Sequence, residues 1–151
     1  MEDHPFEQAA EVLRSLLPAE LAEVRIRARR YGIKVWYGTS DPAKEHYEAQ
    51  VVGSRYVPDA TVLALEIGFH SEHPKPEDNE RALDRLLRAE RRWRKTLGPD
   101  PVAGAFLGRD SWRRLSETWV DPDLSDPELP VEIGTRLYEY VAALEPLRVT
   151  S

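Results

Sequence analysis

Over residues 5–17 apolar side chains recur at spacings of three and four: Phe6, Ala9, Ala10, Leu13, Leu16 and Leu17 would line one face of an amphipathic helix. Pro5 suits its first position, with Asp3 or His4 as the preceding cap. Pro18 ends the pattern before a short turn through Glu20 and Leu21. The period then changes. Val24, Ile26 and Ala28 alternate with Arg25, Arg27 and Arg29, which reads as a strand, although Leu21, Val24, Ala28 and Tyr31 would also share a helical face. After Gly32, Ile33, Val35 and Tyr37 alternate with Lys34 and Trp36 in a clearer strand that ends at Gly38-Thr39-Ser40-Asp41-Pro42. Residues 46–53 and 61–70 supply the next two.

A second helical stretch is predicted from Glu77 to Leu97, with Ala82, Leu83, Leu86, Leu87, Trp93 and Leu97 as its stripe and Gly98-Pro99-Asp100-Pro101 as its stop. Residues 102–107 and 113–120 read as a hairpin joined through Gly108-Arg109-Asp110-Ser111, though the second arm, with Trp112 and Trp119, also admits a helix. Asp126 and Pro127 suit the cap and first residue of a last helix reaching about Leu144, apolar at Leu129, Ile133, Leu137, Tyr140, Val141 and Leu144. Strands joined by short turns pair antiparallel, since parallel pairing needs a long crossover. The expectation is a single α+β domain over 1–151. An antiparallel β-meander would be packed on one face by helices, including a long central one and a C-terminal one.

The alternation also sorts the faces. Tyr47, Ala49 and Val51 would join Leu63, Leu65, Ile67 and Phe69 in the core layer, leaving His46, Glu48, Gln50, Glu66 and His70 on the opposite face with Lys34 and Trp36 nearby. Whether Arg25, Arg27 and Arg29 share that polar face depends on register.

Composition narrows the chemistry. The 151 residues are 41% hydrophobic and 32% charged, which suits one globular core. The absence of cysteine excludes disulfides, thiolate catalysis and Cys-based metal sites, so any metal would be held by His and carboxylates. The acidic start Met1-Glu2-Asp3-His4-Pro5 lacks the pattern of a signal peptide, and no apolar run approaches the roughly 18 residues of a membrane span. The cytoplasm is the expected compartment. A net charge of -6 argues against nucleic acid or anionic membrane as a general partner.

Imidazole and carboxylate groups on adjacent strands can converge on an ion, which makes His46, Glu48, Glu66 and His70 a candidate divalent-metal set. The competing reading is a solvated sheet face held by cross-strand His–Glu pairs. His73 and Glu72 would extend the site, but Pro74 places them in a loop. Asp59 and Glu66 resemble part of the acidic pattern of the PD-(D/E)xK nucleases. Where that pattern has a lysine two positions after the glutamate, this chain has Gly68, so the group expected to stabilise charge on the attacking water and phosphate is missing.

The basic residues Arg81, Arg85, Arg88, Arg91, Arg92, Arg94 and Lys95 suggest a nucleic-acid contact. The pairs Glu77 with Arg81, Asp84 with Arg88 and Glu90 with Arg94, and the acidic start of the helix, account for them as a charged solvent face. Trp93 falls on the apolar stripe, whereas Trp36, on the polar face, would suit a pocket floor. No nucleophile elbow, phosphate loop or dinucleotide fingerprint is present, so no reaction is specified. The sequence leans to a non-catalytic module binding a protein partner, a second copy of itself or a small polar ligand through Trp36, His46, Glu48, Glu66 and His70. The alternative is a metal-dependent hydrolase built on the His/Glu cluster, with nucleic-acid binding through the arginine helix third.

Overall fold

Among the described residues the strands, starting from the hairpin at Arg30–Tyr31, pair into one antiparallel sheet of six. The computed structural model describes residues 4–40 and 43–149, with Val149 as backbone only. Asp3, Asp41 and Pro42, invoked above for a cap and a turn, lie outside the described residues. The strands are β1 (Arg25–Arg29), β2 (Gly32–Trp36), β3 (Glu45–Gly53), β4 (Leu63–Ser71), β5 (Val102–Phe106) and β6 (Arg109–Val120), in the order β1-β2-β3-β4-β6-β5. The first four form the expected meander. The last hairpin adds its second arm beside β4, which leaves β5 at the edge.

Tertiary pairing settles both helix-or-strand ambiguities in favour of strands. In β1, Ile26 stands opposite Val35 and Ala28 opposite Ile33 on the apolar side, so Arg25, Arg27 and Arg29 share the other face with Lys34. The second arm of the last hairpin is paired from Arg113 to Val120, on β5, β4 or both.

Among the described residues four α-helices cover the apolar face: α1 (Pro5–Leu16), α2 (Pro76–Leu87), α3 (Glu90–Leu97) and α4 (Leu129–Val149). His4 caps α1, its Nδ1 accepting from the Glu7 amide at 3.3 Å. The core joins Phe6, Ala9 and Leu13 of α1 and Ile133, Leu137, Tyr140, Val141 and Leu144 of α4 to Ile33, Val35, Tyr47, Ala49, Leu65, Ile67, Phe69 and Leu115 of the sheet. Each large side chain fully buried here contributes about 1.5–3 kcal/mol.

Helix boundaries differ from the expected ones in three places. The stretch expected as one helix over 77–97 is broken at Arg88–Ala89, where Ala89 takes φ -109 and ψ 20. At this break the Leu86 carbonyl accepts from the Ala89 amide at 3.0 Å and from the Trp93 indole N–H at 2.8 Å, so it is satisfied without the helical bond from Glu90. The last helix begins at Leu129 rather than Pro127, while the expected cap Asp126 does accept from the Glu128 amide at 2.9 Å in the turn just before it. It also runs past Leu144 to Val149, and its Arg148 carbonyl accepts from Arg85 at 2.8 Å.

α1 crosses α4 at Gly134, where a Cβ would stand 2.7 Å from the Ala9 carbonyl oxygen and 2.7 Å from Val12 Cβ. Gly134→Ala should therefore force the helices apart despite the better helix propensity of alanine. The expected cost is about 1–3 kcal/mol, or roughly 3–10 °C in Tm for a chain of this size. An unchanged or higher Tm by calorimetry would contradict this packing.

Candidate metal centre

The polar sheet face is built in rows. In one, His46 of β3 stands opposite His70 of β4, which faces Arg114 of β6. In the next, Arg27, Lys34, Glu48, Gly68 and Ser116 follow one another across β1, β2, β3, β4 and β6, and in the third Arg29, Gly32, Gln50, Glu66 and Thr118 do the same. The face is not a solvated one at its centre. His46, Glu66, His70 and Ser116 are buried, and Phe106 covers His70 edge-on with ring centroids 4.6 Å apart.

Four donor atoms converge here. His46 Nε2 lies 3.0 Å from Glu48 Oε1 and 3.4 Å from Glu72 Oε2; His70 Nδ1 lies 3.2 Å from Glu48 Oε1 and 3.7 Å from Glu72 Oε2. Nitrogen and oxygen ligands at about 2.0–2.1 Å around a tetrahedral ion stand about 3.4 Å apart, so these groups, which hydrogen-bond to one another here, are spaced closely enough that they could hold an ion. Among the described residues this is the one group of His and carboxylate side chains close enough to hold a metal ion, with all four ligand atoms within 4.8 Å of one another.

The outward nitrogens are anchored as well. His46 Nδ1 is 3.2 Å from the Ala43 carbonyl, which can only accept, so Nδ1 carries a proton and Nε2 is the nitrogen turned to Glu48. His70 Nε2 is 2.6 Å from Glu66 Oε2, while Glu66 Oε1 accepts from Gln50 Nε2 at 3.1 Å. Glu66 is thus the carboxylate behind a histidine, the arrangement that orients metal-ligating imidazoles. Burial alone would favour neutral His70, but Glu66 and Glu48 outweigh it and push the imidazole up to about 10. Burial likewise disfavours ionised Glu48, yet hydrogen bonds from His46 and His70 hold its carboxyl well below the usual range. Glu66 is lowered too, by His70, Ser116 and Gln50 against its burial.

Of the residues proposed from sequence, His46, Glu48 and His70 meet at one point, and Glu66 stands one shell behind them. Glu72 completes the set. Extended backbone continues past β4, the Glu72 amide donating to the Lys44 carbonyl at 2.7 Å, so residues 66, 68, 70 and 72 stay on one face. His73 turns away to Glu45 at 2.7 Å. The i,i+2 spacing of His70 and Glu72 was the available signal, masked by Pro74. Trp36 is buried beneath the guanidinium groups of Arg25 and Arg27, 5.7 and 5.3 Å from its ring, and is not an open pocket floor.

The nuclease pattern does not assemble. Asp59 is exposed in the loop before β4 while Glu66 is buried against His70. At Gly68 a Cβ would stand 2.4 Å from the Leu115 carbonyl oxygen, so no lysine fits. On the arginine helix, Arg94 pairs with Glu90 as expected at 2.8 Å, whereas Arg81 pairs with Asp78. No helix among the described residues is long and apolar enough to cross a membrane. No protein-family model, curated protein or solved structure matches the chain at a significant level.

In chelator-treated protein the raised His70 contributes stability that is complete below its ordinary value of 6.5 and is lost as pH rises towards about 10. The lowered Glu66 contributes stability that is complete above 4.5 and is lost as pH falls. The metal-free Tm should therefore be highest between these two ordinary values and decline toward pH 10, with Glu66→Gln flattening the alkaline limb. NMR titration of the imidazole checks the assignment; a midpoint for His70 near 6.5 would sink it.

Proposed function

We propose that this chain binds one divalent cation through His46 Nε2, Glu48, His70 Nδ1 and Glu72, and acts as a metal-dependent hydrolase on a small polar ligand. The observation that carries the reading is the double anchoring of the imidazoles. Ala43 and Glu66 hold the outward nitrogens, and both inward nitrogens face the same two carboxylate oxygens. A solvated sheet face has no need to bury two imidazoles and align their inner atoms.

The donor set of imidazole and carboxylate suits Zn²⁺, Mn²⁺ or Ni²⁺ rather than thiophilic ions. When bound, such an ion supplies Lewis acidity and a water acidified toward neutrality. The residues supply position and access. His46 and His70 side chains are 0% exposed, whereas Glu48 and Glu72 keep 15% and 17%. Solvent and ligand therefore reach the centre over the carboxylates, and a carboxylate is the group placed to take a proton. The buried Trp36 offers no exposed aromatic anchor, which weighs against the protein-binding reading of this face.

Elemental analysis of purified protein should give about one ion per chain. At a free ion concentration of about 100 times Kd, binding should add about 2.7 kcal/mol, or roughly 5–10 °C in Tm. The His46→Ala, His70→Ala double variant should lose both signals. Glu66→Gln should retain the fold and weaken ion affinity by about 10–100-fold. Metal-free protein with no thermal shift in Zn²⁺, Mn²⁺ or Ni²⁺ would remove the proposal.

A further inference from the structure

Beside the ion centre a cleft of about 570 Å³ opens over β1, β2 and β3, lined on the polar face by Arg27, Arg29, Gly32, Lys34, Glu48 and Gln50, with Arg30 and Tyr31 at its rim. That is the size of a small-molecule site. Its floor is low because Gly32 has no side chain between Arg29 and Gln50 in their row. Its charge runs against that of the molecule: four cationic side chains face a single carboxylate in a chain of net charge -6. Arg27 is already engaged on Trp36, but neither Arg29 nor Lys34 has an ion-pair partner among the described residues. Glu48 belongs both to the cleft wall and to the donor set.

We propose that this cleft takes the phosphate of a small phosphorylated compound, held by Arg29 and Lys34 beside Glu48. The inference rests on the ion-centre reading for its link to chemistry, and on the cleft alone for its binding. A phosphate dianion matches several converging cations better than a carboxylate of single charge, and a guanidinium offers it two parallel donors. Concave walls in which cations outnumber the one carboxylate concentrate such an anion even on an acidic protein. The dimensions fit a monomeric compound, so a nucleic-acid strand is the competing occupant that the experiment must separate.

Calorimetric titration of the full-length chain with phenyl phosphate, with and without Zn²⁺, tests this directly. Phenyl phosphate should bind, benzoate should bind at least tenfold more weakly, and affinity should fall as salt rises. Arg29→Ala with Lys34→Ala should weaken phenyl phosphate at least tenfold, Lys34→Arg should largely restore it in the Arg29 background, and metal content should stay unchanged. Because both side chains lie on the surface of the cleft, circular dichroism and Tm should report a folded variant. No binding, equal affinity for benzoate, an unaffected double variant, or tighter binding of a short oligonucleotide would each overturn the proposal. Ion uptake without phosphate binding counts against the cleft alone; phosphate binding without ion uptake counts against the ion centre alone.

Discussion

Tyr47 stands opposite Phe69 and His46 opposite His70 because β3 and β4 pair along their full lengths in a single register, and every other element is placed by that choice. A slip of one residue would turn one strand over on the other, setting either His46 and Glu48 or Glu66 and His70 against the helices and the apolar residues of that strand against the polar face. Burial of α1 and α4 on the apolar side excludes the slip, since it would leave carboxylates in the core without partners. The helices thus determine the site without touching it. Their contribution is to make one parity of the β3–β4 ladder far more stable than the other.

Buried carboxylates elsewhere in the fold show what a purely structural solution looks like. Glu117 accepts from Tyr140 at 2.7 Å and from Arg136 at 2.9 and 2.7 Å, and its other oxygen accepts from Trp119 at 2.8 Å. Glu145 accepts from Tyr47 at 2.8 Å and from Arg148 at 3.0 and 2.8 Å. In both, a permanently charged guanidinium neutralises the glutamate and fills its lone pairs, the arrangement that keeps a buried charge from costing several kcal/mol. Between β3 and β4 the same problem is met with imidazole. Histidine is the poorer counter-charge and the better ligand, because it can give up its inner proton and keep the outer one.

The layered plan was legible from periodicity. Alternation of two fixed the strands and their faces, and spacings of three and four located the helices, because each element buries one side. The break at Arg88–Ala89 was not legible, since it depends on a Trp93 indole reaching back to the Leu86 carbonyl. Three of the four converging donor groups, His46, Glu48 and His70, could be read from their shared parity. Glu66 and Glu72 share it as well, and parity cannot rank them; their depth and the direction of each carboxylate are tertiary facts. The capping of Trp36 by Arg25 and Arg27 was hidden for the same reason, as it required the register of β1 on β2.

Charge on β1 has a simpler role that must be set against any role in binding. β1 is an edge strand, and charged side chains on edges discourage pairing with other chains. That accounts for Arg25, Arg27 and Arg29, whose alternate neighbours Ile26 and Ala28 are held by the core. It does not account for Lys34, which lies on the interior strand β2 in register with Glu48, nor for the bare floor at Gly32. Edge protection asks only for charge along the rim. Cations that continue inward, row by row, to a carboxylate shared with two buried imidazoles form a path from solvent to the centre of the sheet.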